Sequence, residues 1–276
     1  MKVSIVSLSF NSEKYIKYMV ESVISQTYKP IEFIVVDGGS KDKTLDIIKN
    51  FKNKIDVLIS EPDKGVFDAL NKGIKVATGE IIGWLGSEDF FPNDRIVEAV
   101  IHQFGKRDID ICWGDLVYIE RDNNKIKRFW RSSNYKKGKF KFGWQLPHFS
   151  SFIKKEIFEK YGYFNINLKI SSDYELFLRF LEKHNIKSHY IPKVLMVMRT
   201  GGQSNKNIRN VLKGNYECYL AWKFNKMNIF PFYFLTKPIY KFLQLPLFHQ
   251  NKSIHFKSLE FMGIRPRVEH NHKIGN

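Results

Sequence analysis

Short apolar runs alternate with helical patterns over the first hundred residues, and this alternation restricts the chain to few folds. Four runs rich in β-branched residues predict strands at 3–10, 31–36, 55–60 and 80–86. Each is followed by a segment in which apolar residues recur at helical spacing. Strand–helix alternation of this kind is typical of βαβ units around a parallel sheet. We therefore expect an α/β fold.

After residue 108 the alternation gives way to a mixed pattern. The tripeptide Asp122-Asn123-Asn124 lies between two strand-like runs and is typical of a hairpin turn. The predicted strands of this region are 109–113, 116–121, 126–130, 150–153, 187–191 and 194–199. The predicted helices are 154–161, one that begins at Ser171 or Ser172, and one that runs from Ser204 to about Lys226.

The charge of the chain implies an anionic partner. The 276 residues carry a formal net charge of +17, which suits nucleic acid, a phosphate-bearing substrate or an anionic membrane surface. No recognised nucleic-acid-binding motif is present, so we expect no nucleic-acid partner. With two cysteines, no signal-peptide pattern and no apolar run of about 18 residues, we expect a reduced cytoplasmic protein without a spanning helix.

Two adjacent carboxylates follow the fourth predicted strand. Glu88 and Asp89 come directly after the apolar run 81–85 and Gly86-Ser87. Ligands bind beyond the carboxyl ends of strands in open α/β sheets, and carboxylate oxygens suit a Mg²⁺ or Mn²⁺ that also holds phosphates. The alternative is a solvated acidic turn before a helix that begins near Pro92, and this stretch alone favours the turn.

Two further motifs follow strands. Asp37-Gly38-Gly39-Ser40 could accept hydrogen bonds from a base or ribose, but it could equally be a strand-to-helix turn, and it is not a dinucleotide fingerprint. Asp68, Asn71 and Lys72 share one face of the next predicted helix. That polar face suits a nucleotide diphosphate, and a solvated helix face explains it as well.

Taken in order, three stretches resemble the family-2 inverting glycosyltransferases: VSIVSLSFN, VVDGGSKDKT and SEPDKGVFDALNKGIKVATGEIIGWLGSEDFF. Within that family, the chain is most similar to the group that builds bacterial O-antigens and exopolysaccharides. The resemblance covers residues 1–205 and implies a GT-A fold with a mainly parallel central sheet. Residues 1–115 would form the nucleotide-sugar half and 116–205 the acceptor half, with 206–276 as a helical, basic and aromatic C-terminal region.

The resemblance also implies roles for residues of the first half. The nucleoside pocket would be lined by Leu8, Ser9, Phe10, Glu13 and Asp37. Asp63 and Lys64 would lie near the nucleotide. Ser87-Glu88-Asp89 matches the metal-binding Asp-X-Asp, with Asp89 as the ligand of Mn²⁺ or Mg²⁺ and Glu88 on the donor's phosphate or sugar. Ser87, Glu88 and Gly38 depart from the family pattern.

In the second half, the segment around His148 matches the acceptor side, and the segment around Asp173 matches the one that holds the catalytic base. Inversion needs a carboxylate that accepts the proton of the acceptor hydroxyl. Without the family pattern, Asp173 would be a helix-dipole acid and His148 a satisfied, partly buried histidine. Arg199 begins a loop that resembles the one closing over the donor diphosphate, and it could pair with phosphate. A glycine turn with Ser204 as a helix cap is compatible with that role.

Two basic regions point to a membrane. Residues 229–248 are apolar but contain three prolines and two lysines, which predicts short helices in the membrane interface. From residue 206 onward there are twelve Lys/Arg and three Glu, which favours an anionic leaflet. Packing on the core or a homodimer is the alternative. The run 121–141 holds nine Lys/Arg and one Asp. We expect it to face a lipid pyrophosphate or the membrane, and a solvated hairpin is the alternative.

The resemblance implies a hexosyl- or N-acetylhexosaminyltransferase. It would use a nucleotide sugar, with UDP as the family expectation, and a polyprenyl-diphosphate-linked saccharide at the cytoplasmic membrane face. Its pathway would be O-antigen, lipopolysaccharide, capsule or exopolysaccharide biosynthesis. The alternative is a catalytically weak or inactive binding or scaffold protein of a membrane polysaccharide complex. A polymerising synthase is disfavoured because the predicted chain lacks spanning helices.

Overall fold

The computed structural model describes residues 1–121, 123–201 and 208–228, which form one eight-stranded sheet. Four parallel strands make up its first half, in the order β3-β2-β1-β4. They are β1 (Val3–Ser9), β2 (Ile31–Asp37), β3 (Val57–Ser60) and β4 (Ile81–Leu85). Every residue of β1 and β4 is buried, as expected for strands covered on both faces.

The second half of the sheet is mixed. It contains β5 (Ile111–Ile119), β6 (Ile126–Trp130), β7 (Ser151–Lys154) and β8 (Ser188–Arg199). Strand β7 lies between β4 and β5 and is antiparallel to both, whereas β8 pairs with β5 in parallel. The predicted α/β architecture with a mainly parallel sheet is confirmed.

Two predicted strand pairs are each a single strand in the structure. The runs 109–113 and 116–121 belong to β5, and 187–191 and 194–199 belong to β8. Each strand continues because β5 and β8 pair along their length, and register shifts beside Asp115 absorb the irregularity. Pairing of two long strands therefore outweighed the local breaks in the apolar pattern.

Helices cover both faces of the sheet. They are α1 (Ile16–Ile24), α2 (Thr44–Lys49), α3 (Val66–Val76), α4 (Ile96–Lys106), α5 (Lys155–Tyr161), α6 (Ser172–Phe177) and α7 (Ile208–Phe224). Buried side chains of α1, α2 and α4 pack on one face, and those of α3, α5, α6 and α7 on the other. Helix α6 continues as a π-helical segment, Leu178–Lys183.

Helix α7 lies beyond the predicted domain boundary but packs with the acceptor half. Cys218, Ala221 and Trp222 of α7 are buried in the same core as α6. The boundary at residue 205 stays a prediction. The predicted cap Ser204 and the apolar segment 229–248 lie outside the described residues. In the part of the chain that the structure describes, no helix has the length and apolar character to cross a membrane.

Candidate active site

The loops that carry the predicted site leave one edge of the sheet. Ser9 and Asp37, the last residues of β1 and β2, are paired across the two strands. Ser7 of β1 pairs with Leu85, the last residue of β4. Because these parallel strands end at the same level, the loops after them are neighbours, as at ligand sites of open α/β sheets.

Asp37 is fully buried, and its carboxylate organises the loop that follows β2. Oδ1 accepts hydrogen bonds from Ser9 Oγ at 2.9 Å and Ser40 Oγ at 2.5 Å. Oδ2 accepts from the backbone N–H groups of Gly39 at 3.0 Å and Ser40 at 2.9 Å, and from Ser60 Oγ at 3.1 Å. This carboxylate thus joins the ends of β1, β2 and β3. A nucleoside contact of Asp37 stays a prediction.

The other predicted nucleoside residues differ in exposure. Leu8 and Ser9 are buried, whereas the Phe10 side chain is 60% exposed and is the apolar group that this loop offers to a ligand. Glu13 is exposed and accepts a hydrogen bond from the Lys43 backbone N–H at 3.1 Å. Its carboxylate therefore supports the loop before α2, and its predicted nucleoside contact stays a prediction.

Asp63 lies against the Phe10 loop, and its position accounts for Gly38. A Cβ atom at residue 38 would lie 2.4 Å from Asp63 Oδ2 and 3.4 Å from the Phe10 ring. A side chain at this position would have to displace the Asp63 carboxylate. Gly38 therefore lies directly beside the Asp63 carboxylate and the Phe10 ring.

The polar face of α3 divides into two roles. Asn71 is buried, and its amide exchanges hydrogen bonds of 2.8 and 3.0 Å with the backbone of Phe164, which accounts for it structurally. Lys72 Nζ forms an ion pair with Glu61 at 2.7 Å that raises the pKa of Lys72. Asp68 accepts a hydrogen bond from the backbone N–H of Lys64 at 3.0 Å. In the structure these side chains shape the 61–65 loop, and their contacts to a diphosphate stay predictions.

Asp89 is a buried carboxylate with few hydrogen bonds. It is 4% exposed, and its Oδ2 accepts a long bond of 3.2 Å from the Gly86 backbone N–H. Burial raises the pKa of Asp89 to about 7, and the Glu88 charge adds to this rise. Backbone hydrogen bonds from Gly86 and Arg199 and the charge of His148 oppose it. A Cβ at residue 86 would lie 2.7 Å from Asp89 Oδ2, so a larger residue there would have to displace the carboxylate.

The loop that carries Asp89 is fixed to β8. The backbones of Phe90 and Val197 exchange two hydrogen bonds of 3.0 Å. Glu88 forms an ion pair with Arg121 at the start of the β5–β6 connection. These contacts hold the Ser87-Glu88-Asp89 motif against the acceptor half, so the fourth strand and the eighth contribute to a single site.

Arg199, at the end of β8, is a cation beside Asp89 with an unused donor. Its guanidinium packs 4.8 Å from the Tyr15 ring and 5.5 Å from the Phe90 ring. One Nη donates to Asn124 at 2.6 Å, while Nε is buried without a hydrogen-bond partner in the structure. Burial lowers the pKa of Arg199, and Glu88 and Asp89 oppose this. A buried donor next to these carboxylates fits the binding of an anionic ligand.

His148 and Asp173 meet although they are distant in the sequence. His148 Nδ1 lies 3.0 Å from Asp173 Oδ2, and both side chains are 24% exposed. His148 begins a short 3-10 turn before β7, and Asp173 lies in the first turn of α6. The His148 charge also acts on Asp89. The pair therefore lies within electrostatic reach of the Asp89 carboxylate.

Sequence reasoning missed two residues of this site. Burial raises the pKa of Tyr118 on β5, and the charges of both Asp89 and Asp173 contribute to the shift. The Arg128 guanidinium of β6 lies 4.9 Å from the Tyr118 ring and 4.8 Å from the Trp130 ring. Tyr118 lies before the 121–141 segment, whose strong basic and aromatic character was the available signal for Arg128. Only the pairing of β5 with β6 shows that its side chains reach the site.

The residues present fit a metal ion whose coordination is completed by the donor. No group of three or more His, Cys, Asp and Glu in the described ranges could hold a metal on its own. A Mg²⁺ or Mn²⁺ bound to a nucleotide sugar needs only one or two carboxylates, because phosphates and water supply the other ligands. Asp89, a buried oxygen ligand with few partners, is suited to that arrangement.

Comparison with known proteins decides the family. Residues 4–162 match the family described as "Glycosyl transferase family 2", which is more than half of the chain. The chain belongs to glycosyltransferase family 2. Membership makes it a nucleotide-sugar glycosyltransferase. Two relatives support the assignment, both called uncharacterized glycosyltransferases. One, from Mycobacterium tuberculosis, is 34% identical over 64% of this chain and 68% of its own length. The other, from Rickettsia typhi, is 31% identical over 67% of this chain and 60% of its own length.

Solved structures share the fold of this glycosyltransferase. S. aureus TarS 1–349 in complex with UDP has a TM-score of 0.63 at 19% identity, over 83% of this chain and 66% of TarS 1–349. The same protein with UDP-GlcNAc gives a TM-score of 0.64 at 18% identity, over 82% of this chain and 65% of its own. The mannosyltransferase PcManGT from Pyrobaculum calidifontis, in complex with GDP-Man and Mn²⁺, gives 0.59 at 14% identity, over 87% and 72%. The GT-A prediction for the fold is confirmed.

Proposed function

We propose that this glycosyltransferase is a metal-dependent inverting enzyme whose chemistry takes place between Asp89 and the His148–Asp173 pair. The observation that carries the proposal is the meeting of these groups. Asp89 comes from the half that the family uses for the nucleotide sugar, and the pair, with Nδ1 and Oδ2 3.0 Å apart, comes from the acceptor half. A carboxylate for the metal and a carboxylate for proton transfer are then present in one site.

In this mechanism Asp173 accepts the proton of the acceptor hydroxyl as its oxygen attacks the anomeric carbon. His148 holds the Asp173 carboxylate in place and contacts the acceptor. A bound divalent cation, with Asp89 as its ligand, would supply positive charge to the leaving diphosphate. The free Nε of Arg199 supports a further contact to that diphosphate, and Glu88 is assigned to the donor's phosphate or sugar.

The donor that we propose is a UDP-sugar carrying a hexose or N-acetylhexosamine. The exposed Phe10 ring and the Asp63 carboxylate beside Gly38 offer an apolar face and hydrogen-bond acceptors to a nucleoside. Leu8, Ser9, Glu13, Asp37, Lys64, Asp68 and Lys72 complete the proposed donor region. UDP and UDP-GlcNAc in the similar TarS structures support this choice of nucleotide.

We assign the acceptor to a polyprenyl-diphosphate-linked saccharide at the inner face of the cell membrane, in the synthesis of a bacterial surface polysaccharide. The support is the net charge of +17 and the concentration of basic and aromatic residues in 121–141 and 206–276. Clustered Lys and Arg beside aromatics favour both an anionic leaflet and a lipid diphosphate. Lipid vesicles of defined composition test this part separately from catalysis.

The proposal is tested by the release of nucleoside diphosphate. Purified protein is incubated with a panel of nucleotide sugars and synthetic polyprenyl-diphosphate saccharides, with Mn²⁺, with Mg²⁺ or with a chelator. We expect release with one donor class that needs the metal and the acceptor. Substitution D173N should lower kcat by about 100-fold or more, because a general base contributes 10²–10⁴-fold. The dissociation constant of the donor should stay within about twofold, since the base contacts the acceptor.

A matched control for D173N is D110N. Asp110 is another carboxylate that is only partly exposed, and it pairs with Lys154 at 3.2 Å, just before β5 begins and away from the site. D110N should retain kcat. If D173N retains full activity, the base assignment is wrong. Metal-dependent donor binding without turnover over the whole acceptor panel would instead support a binding or scaffold protein.

A further inference from the structure

Glu217 of α7 is a buried carboxylate that holds the segment leading into α6. Glu217 is only 3% exposed to solvent. Oε1 accepts a hydrogen bond from the Lys169 N–H at 3.1 Å, and Oε2 accepts from the N–H groups of Ile170 at 2.7 Å and Ser171 at 2.8 Å. Three successive backbone donors thus converge on one carboxylate, two residues before Asp173.

Other contacts from α7 reach the same short helix. The Ser171 hydroxyl donates to the Gly214 carbonyl at 2.9 Å and makes no capping bond to α6. Trp222 Nε1 donates to the Tyr174 hydroxyl at 2.9 Å. Just after α7, Asn225 Nδ2 donates to Glu175 Oε1 at 2.9 Å. The residues on both sides of Asp173 are therefore attached to α7.

Helix α6 depends on such attachment. It has six α-helical residues and no side-chain cap, and even with its π-helical continuation Leu178–Lys183 it is too short to be stable without tertiary contacts. Its first N–H groups need partners that lie outside the helix. A carboxylate at this end satisfies the donors that precede α6 and interacts favourably with the helix dipole. Glu217 thereby sets the position of the first turn, which carries Asp173.

The same segment also touches the donor half. Lys169 Nζ donates to the Lys64 carbonyl at 3.1 Å, in the 61–65 loop. Glu217 therefore fixes a segment that lies between the proposed donor loop on one side and the base on the other. A shift of this segment would move the base relative to the donor.

We infer that Glu217 is a positioning residue for Asp173, and that α7 is part of the catalytic unit. This inference rests on the proposed function, which makes Asp173 the base. Glu217 contacts no substrate in this account; it acts through the backbone of 169–171. A small misplacement of a reacting group costs a large factor in rate because the reaction depends on a near-attack geometry. The C-terminal region then serves the chemistry in addition to any membrane role.

The test compares E217Q with E32Q. Glu32 is also a buried carboxylate that accepts several hydrogen bonds, but it lies near the amino ends of β1 and β2, away from the site. We expect both variants to lose stability. At a temperature where both are folded, E217Q should lower kcat by about tenfold through misplacement of the base. The dissociation constant of UDP in Mn²⁺ should not change, and the pH dependence of kcat should shift. E32Q should retain kcat and its pH profile.

Two further measurements keep the inference falsifiable. Amide exchange of residues 169–177 should be faster in E217Q than in E32Q, and this readout needs no activity. W222F, which removes the bond to Tyr174 but keeps most of the packing, should lower kcat about threefold, as expected for the loss of one secondary contact. Equal exchange in both variants, or an unchanged kcat and pH profile in E217Q, overturns the inference. Absence of transfer by the wild-type protein with every donor contradicts the proposed function instead.

Discussion

Asp37, the last residue of β2, and Asp89, on the loop after β4, are both buried carboxylates at the carboxyl edge of the sheet, yet their surroundings differ. Asp37 is 0% exposed and accepts five hydrogen bonds from serine hydroxyls and backbone N–H groups. Asp89 is 4% exposed, accepts a 3.2 Å bond from the Gly86 backbone and is stabilised by the Arg199 backbone N–H, yet its pKa is raised to about 7. The two carboxylates are buried to a similar extent, but Asp37 accepts many more hydrogen bonds than Asp89.

The difference separates a carboxylate whose acceptor positions are mostly filled within the chain from one that leaves them open to a metal. Burying a carboxylate is costly unless hydrogen bonds or a counter-charge compensate it. Asp37 has that compensation within the chain. Asp89 lacks most of it, and a perturbed carboxylate in such a position is a candidate for function. Arg199, with a buried Nε that has no partner, is its cationic counterpart beside the same loop.

The largest difference between substitutions of the two carboxylates should be in enzymatic activity. We expect D89N to lower kcat/KM by about 100-fold or more, because it removes the charge that binds the metal of the donor diphosphate. D37N, assayed at a temperature where it is folded, should lower kcat/KM by less than about tenfold, since it lies beside the chemistry without contacting the reacting atoms. Nucleoside diphosphate release measures both. Equal losses in the two variants would remove the distinction.

The loss of stability should be larger for D37N than for D89N. The two Asp37 oxygens accept hydrogen bonds from Ser9, Gly39, Ser40 and Ser60. In D37N only one acceptor oxygen remains for these donors. We expect the free energy of unfolding to fall by about 2–4 kcal/mol, as for other buried acceptors that are removed from a network. Urea unfolding measures it. A loss below about 0.5 kcal/mol, the size of an ordinary surface change, would show that the network contributes little.

Glu32 is a second buried carboxylate that accepts several hydrogen bonds. The pH dependence of its contribution to stability extends the comparison. Burial opposes its ionisation, but hydrogen bonds from Ser4, Thr78 and Lys2 hold the pKa of Glu32 at about 2, below its usual value of 4.5. Its contribution to stability is therefore complete above pH 4.5 and is lost as the pH falls towards 2. E32Q should cost about 1–3 kcal/mol at pH 7.

Unfolding free energies of E32Q and the wild type at several pH values test this sign. The difference between the two proteins should shrink continuously between pH 4.5 and 2, where Glu32 becomes protonated in the wild type. D46N is a suitable control, because Asp46 is an exposed residue of α2 paired only with Lys49 at the surface. A difference that does not depend on pH would show that Glu32 acts through packing alone.

The donor half was the more predictable part of the fold. Strands β1 to β4 are continuous apolar runs followed by helical periodicity, and both signals are local. In the second half, β5 and β8 each contain a local break that their mutual pairing overrides. Strand β7 joins β4 to β5 as an antiparallel insertion, and nothing in its four residues indicates that direction.

The residues of the candidate site were named from family motifs, and their roles stay predictions. Sequence did not predict the contacts among them. The 3.0 Å contact between His148 and Asp173 depends on how α6 is fixed, which local sequence does not encode. Asn71, by contrast, shares a helix face with Lys72 but bonds to the Phe164 backbone, a partner 93 residues away.

The central claim is that Asp89 is a buried carboxylate available to a ligand and not a structural one. Its most direct test is the free energy of unfolding of D89N relative to the wild type, measured from pH 4 to 8 with a chelator and without nucleotide. Because burial raises the pKa of Asp89 to about 7, the wild type should become less stable as the pH rises from 4 to 7. D89N lacks this ionisation and should be more stable than the wild type by about 1–4 kcal/mol at pH 8, with the difference vanishing near pH 4. A D89N protein that is destabilised at pH 8, as we expect for D37N, would show that Asp89 is a structural carboxylate and would contradict the account.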